Sequence, residues 1–176
     1  MTDPRPLPPI LRRLPPPPLA PQMMGLALTA LLRRIAAQKP SILSRLGLYE
    51  AARFLIDVTD GPVLLLMEPK ARRITVHRRG AAPAHDAAIT GRLAAFLAML
   101  HGVEDGDALF FSGALEIAGD TSAVLALRNA LDDAELDLTG ELAALAGRPF
   151  GPWLRRASDL AARRSGYALS REEVLP

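Results

Sequence analysis

The chain has no cysteine in its 176 residues. That excludes disulfides, thiolate ligation of iron–sulfur clusters and thiol catalysis by this chain. Aromatics are scarce: five Phe, two Tyr and one Trp make up 5% of the residues. Ala and Leu therefore carry most of the 49% apolar content, a composition that favours helices. Three histidines are present, His77, His85 and His101. His77 lies beside Arg78-Arg79, a cationic setting that opposes metal binding, and His85-Asp86 is only a pair of loop neighbours. A metal or catalytic cluster needs two or more such residues at matched spacing, so no metal and no catalytic residue is expected. Gly-x-Ser-x-Gly, Walker and dinucleotide glycine patterns are also missing. No apolar run reaches the roughly 18–20 residues that span a bilayer. The greasiest stretch, Met23 to Leu32, is stopped by Arg33-Arg34.

Charge is unevenly placed. Residues 1–45 carry seven Lys/Arg and one acid, a local balance of +6. Residues 46–147 carry eight Lys/Arg and fifteen acids, a balance of −7. Residues 148–176 carry six Arg and three acids, a balance of +3. Basic ends thus flank an acidic middle within a chain of net charge +2. The ends suit an anionic surface, and the middle repels nucleic acid, which is not expected as a partner.

Proline divides the chain further. Residues 1–21 hold nine of the sixteen prolines, including Pro15 to Pro18, and read as an extended leader. Such a leader is either a flexible tail or a docking segment for another protein. Residues 22–147 carry the periodic patterns of one domain, and 148–176 read as a basic amphipathic helix with a tail. Within the domain, a helix is expected from Gln22 to Gln38, ended by Pro40. A second is expected from Ile42 to Ile56. Gly61-Pro62 turns the chain into a buried strand, Val63 to Met67. Arg73 to His77 alternates and returns as its hairpin partner. After the loop 80–86 comes a short strand, Ala87 to Thr90, then a helix from Arg92 to Leu100.

The stretch from Asp107 to Leu138 is the most informative. Phe110 and Phe111 open it, and on extended chain they would point to opposite faces. In the following strand Leu115 and Ile117 face one way and Glu116 the other. Gly119 ends it, and Asp120 is placed to cap a helix carrying Val124, Leu127 and Leu131, with Leu125 extending its apolar surface. The acids Asp132, Asp133, Glu135 and Asp137 lack a calcium-loop spacing and read as a solvated face or a contact for a basic partner. Glu141 to Ala146 reads as a short helix, and another starts near Pro152. Strands in the middle and helices on both sides in sequence predict an α+β fold. Its sheet would be mostly antiparallel and covered by helices.

The spaced set Asp107-Ala108-Leu109-Phe110-Phe111, Leu115-x-Ile117-x-Gly119-Asp120-Thr121, Arg128-Asn129-x-x-Asp132 and Glu135-Leu136 resembles the sterol-carrier-protein-type lipid-binding domain. More narrowly it resembles the ubiquinone-biosynthesis accessory factors of the UbiT kind in bacteria. The close match covers about thirty residues, and the order of elements fits more loosely from about residue 20 to 140. The resemblance implies an apolar lipid cavity between sheet and helices. It implies no catalysis and no resident cofactor. Phe96, Phe110, Phe111, Leu115, Ile117, Val124, Leu125 and Leu127 are the expected lipid-binding residues. The implied ligands are ubiquinone or its prenylated precursors and phospholipid. UbiU/UbiV-like hydroxylation proteins of the oxygen-independent pathway are the implied protein partners, and they would carry the iron–sulfur chemistry. Phe150 and Trp153 among Arg155, Arg156, Arg163 and Arg164 suit contact with an anionic membrane. A helix packed on the core with its arginines outward is the other reading. The expected location is the cytoplasm, at the inner-membrane surface. A general phospholipid or fatty-acid carrier, a scaffold with a filled core and a lipid-modifying enzyme are the alternatives.

Overall fold

The computed structural model describes residues 20–80, 82–100 and 106–132. The leader before Ala20, the acidic cluster past Asp132, the expected helix at 141–146 and the basic end at 148–176 lie outside the described residues, as does His101.

Helix α1 spans Ala20–Gln38 and α2 spans Ser41–Leu46, followed by a 3-10 turn at Gly47–Tyr49. Strands β1 (Phe54–Val58), β2 (Val63–Glu68), β3 (Arg73–Arg78) and β4 (Ala87–Gly91) come next. Helices α3 (Leu93–Leu100) and α4 (Gly106–Phe111) precede β5 (Leu115–Gly119) and α5 (Thr121–Asp132). The five strands form one sheet in the order β3-β2-β1-β4-β5. Only the β1–β4 pairing is parallel; the other three are antiparallel.

Two local expectations are corrected. The helix expected from Ile42 to Ile56 stops at Leu46. Gly47 adopts φ +52 with ψ −119, a backbone conformation open to glycine that breaks the helix, and its N–H bonds back to the Ser44 carbonyl. Phe54 to Val58 instead forms the central strand, where β-branched and aromatic side chains fit between two neighbours. The Phe110–Phe111 pair is not extended either; it closes the helix α4. Helical spacing turns Leu109 into the core, leaves Phe110 half-buried and puts Phe111 in solvent, 92% exposed. The other expectations for strands hold within a residue or two, and Asp120 caps α5 by accepting from the Ala123 N–H at 3.0 Å.

Strand register sorts the side chains into two faces. Phe54, Ile56, Met67, Ile74, Ala87, Ile89, Leu115 and Ile117 share one face by register. All of them join a single apolar cluster with residues of all five helices, among them Leu31, Leu46, Phe96, Leu109 and Val124. Helices therefore cover one side of the sheet. The opposite face carries a smaller buried cluster of Leu55, Leu64 and Ala88, flanked by Thr75, His77, Thr90 and Glu116.

The sheet's edges are managed at specific points. Thr29 on α1 donates its hydroxyl to the Ile74 carbonyl at 2.9 Å and accepts from the Ile74 N–H at 3.0 Å. It thus satisfies a backbone pair on the edge strand β3 that would otherwise invite another strand. In the middle of the sheet, Asp86 accepts from the Arg53 backbone N–H at 2.8 Å and from its guanidinium at 3.3 Å. This fastens the starts of β1 and β4. The guanidinium hydrogen bond, with the backbone one, holds the Asp86 carboxyl below its usual value.

Candidate functional site

An open pocket of about 590 Å³ lies where β4 runs into α3 and α4 turns into β5. Its construction follows from local chemistry. Asp60, in the β1–β2 turn, accepts from the Leu93 N–H at 2.9 Å and so fixes the start of α3. The Thr59 N–H donates to the Gly91 carbonyl at 2.7 Å, bringing that turn against the end of β4. Gly91 is required by the packing: a Cβ there would meet the Leu115 side chain at 2.5 Å and the Ala114 carbonyl oxygen at 2.7 Å. Gly113, at φ +73, lets α4 turn back into β5.

The pocket has an apolar floor of Ala95, Ala98 and Leu109, continuous with the main core. Its rim is polar: Thr59, Thr90, Arg92, Ser112 and Glu116. Thr90 and Glu116 are direct partners in the β4–β5 register, so both stand on the sheet face opposite the helices. Ser112 spends its hydroxyl on the Leu109 carbonyl at 3.2 Å. An apolar floor below hydrogen-bonding groups suits an amphipathic molecule.

None of the eight expected lipid-binding residues lines this pocket. Phe96, Leu115, Val124 and Leu127 are buried in the core between sheet and helices. Phe110 and Ile117 are half-buried against it. Phe111 is in solvent, and Leu125 is 52% exposed on the outer side of α5. The expected membrane-contact residues Phe150, Trp153, Arg155, Arg156 and Arg163 lie outside the described residues. Thr59, Thr90, Arg92, Ala98 and Glu116 were not singled out as site residues from sequence. The outward alternation of Glu116 was visible there, but its register with Thr90 was not.

The spaced residues of the resemblance have a physical counterpart. Arg128, only 13% exposed, pairs with Asp107 of α4, and its Nε lies 3.2 Å from the Asp132 carboxylate one turn on. Asp107, Arg128 and Asp132 thereby tie α4, whose Leu109 floors the pocket, to α5. Other polar side chains are structural. Arg79 reaches Asp57 and the Val58 and Gly61 carbonyls. His77 hydrogen bonds with Thr75 at 2.8 Å, and His85 with the Pro83 carbonyl at 2.8 Å. Among the described residues, no three His, Asp or Glu converge as a metal site. Among the same residues, no helix is long and apolar enough to cross a membrane.

A mixed five-stranded sheet with helices on one face is an α+β architecture of the sterol-carrier type. The SCP-2 sterol transfer family matches residues 28–132, and the chain belongs to that family. No curated protein matches the chain. Among solved structures, a UbiJ-SCP2 ubiquinone synthesis protein is 26% identical, with a TM-score of 0.50, covering 69% of this chain and 96% of that one. Sterol carrier protein 2 from Yarrowia lipolytica in its apo form is 16% identical, with a TM-score of 0.44, covering 66% and 93%. The sterol carrier protein domain 2 of Helicoverpa armigera is 15% identical, with a TM-score of 0.48, covering 68% and 92%.

Proposed function

We propose that this chain is a non-enzymatic lipid-binding accessory factor of ubiquinone biosynthesis, acting in the oxygen-independent branch. It holds the isoprenoid tail of quinone intermediates and leaves the ring accessible to partner enzymes. The similarity to a ubiquinone synthesis protein over nearly all of that protein's length is the observation that carries this reading. The oxygen-independent branch rests on the resemblance of the spaced set around Asp107, Arg128 and Asp132 to UbiT-type factors.

Physical chemistry supports tail binding without catalysis. A pocket of about 590 Å³ falls within the roughly 300–1,000 Å³ of small-molecule sites. Each methylene removed from water contributes about 0.8 kcal/mol, so a few isoprene units bind without a single polar contact. The rim side chains include no thiol or imidazole, and the described histidines are tied to Thr75 and to the Pro83 carbonyl. UbiU/UbiV-like proteins would supply the hydroxylation. The basic ends would hold the carrier at the anionic inner-membrane face where its ligands reside.

The test is the quinone content of cells lacking this chain and grown without oxygen. Ubiquinone should fall and prenylated, under-hydroxylated precursors should accumulate. Wild type and a variant with His77, His85 and His101 all changed to Gln should restore it. Unchanged ubiquinone would contradict the proposal, and failure of the folded triple variant would point to catalysis.

A further inference from the structure

Resting on the reading of the chain as a carrier of tailed ligands, we infer that Arg92 and Glu116 form a head-group site. It selects an amphiphile whose head both donates and accepts hydrogen bonds, as a phenol or hydroxybenzoate does.

Carboxylates on the strands of this sheet are otherwise engaged. Asp57 pairs with Arg79, and Glu68 pairs with Arg73. Glu50 and Asp86 at loop positions also have cationic partners. Glu116 and Arg92 break this pattern. Both line the pocket, neither has a protein partner among the described residues, and no ion pair joins them. The hydroxyls of Thr59 and Thr90 on the same rim are likewise unengaged. One pocket therefore presents an unused cation, an unused carboxylate and two hydroxyls above an apolar floor.

The chemistry of the pair narrows the ligand. Arg92 can only donate, so it needs a carbonyl, carboxylate or phosphate oxygen. An ionised Glu116 can only accept, so it needs an O–H or N–H. A phosphodiester group alone offers only acceptors, and its charge would face that of Glu116; an ethanolamine head adds an N–H donor and is the competitor the test must exclude. A fully substituted quinone also offers acceptors alone. A hydroxylated ring offers both, with the O–H to Glu116 and the oxygens opposite to Arg92. The site would thus hold a prenylated phenol tightly before its hydroxyls are converted to ethers or a quinone, and more weakly afterwards.

Competition binding with 3-geranyl-4-hydroxybenzoate, its phenol methyl ether and its carboxyl methyl ester tests this on the full chain. The ether keeps the tail and loses the donor. Wild type should bind the phenol about tenfold or more tighter than the ether, the scale of one hydrogen bond to a charged group. Glu116→Ala should erase that difference. Arg92→Ala should instead erase the preference for the free acid over its ester. Equal binding of phenol and ether by wild type overturns the head-group site yet leaves tail carriage standing. Tighter binding of phosphatidylethanolamine than of the phenol also overturns it. If no tailed compound binds, the carrier reading itself falls.

Discussion

Arg128 shows how much a single side chain decides here. It is nearly buried, and two carboxylates, Asp107 and Asp132, compensate its charge. Arg128→Ala would leave Asp107 without its partner across the α4–α5 contact and would open space beside the core. Because Asp107 is more than half exposed, water will screen part of the loss. A destabilisation of about 1–3 kcal/mol is expected, read as a lower urea midpoint. A midpoint unchanged from wild type would mean that the cluster does not fasten α4. From sequence, the spacing of Asp107, Arg128 and Asp132 was legible only as a family pattern. Asp132 lies one helical turn from Arg128, but Asp107 is 21 residues away, and only the fold brings it there. The Asp120 cap was readable, because a capping residue acts within its own turn.

Secondary-structure elements were legible where their own chemistry decides them, and misread where a partner strand does. The β2–β3 hairpin and α5 carry clear local periods. Phe54 to Val58 follows a helix with no proline between them, and its leucine and isoleucine also fit a helical stripe. Pairing on both sides, with β2 and β4, settles it as a strand. The junction of β1 and β4 gives a testable pH dependence. Arg53 depresses the Asp86 carboxyl in the folded state. A depressed folded pKa adds stability above the ordinary aspartate range and loses it as pH falls through the folded value. Asp86→Asn should therefore destabilise at neutral pH and cost progressively less below about pH 4. Both groups are well exposed, so the effect is small. Thermal melts of wild type and variant across pH check it. A gap that persists unchanged into strong acid would show that the backbone hydrogen bond, not the charge, is what matters.

For the whole molecule, the fold class and family could be read from sequence, but the pocket could not. Apolar pattern identifies which residues avoid water. It does not distinguish Leu115 and Val124, which fill the core, from Ala98 and Leu109, which floor an opening. The polar rim was missed for the same reason, since Thr59, Thr90 and Glu116 converge only through sheet register. The charge division of the chain leads to a further expectation. Juxtamembrane basic residues contribute about 1 kcal/mol each at an anionic surface, enough for weak, reversible attachment through the ends. Flotation should show binding to anionic vesicles, little to zwitterionic ones and loss at high salt. Changing Arg155, Arg156, Arg163 and Arg164 to Gln should weaken it, and Trp153→Ala should weaken it further. Binding that ignores lipid charge and these substitutions would mean that the C-terminal segment serves only to pack.

The central claim is that the pocket beside α3 carries a prenyl tail. Native mass spectrometry of the protein, purified from quinone-producing cells without detergent, tests it most directly. Wild type should retain a prenylated quinone or precursor at one molecule per chain, while Ala98→Trp, which fills the pocket floor, should emerge folded and empty. A clean apo mass for wild type, or the same bound lipid in wild type and Ala98→Trp, would contradict the account.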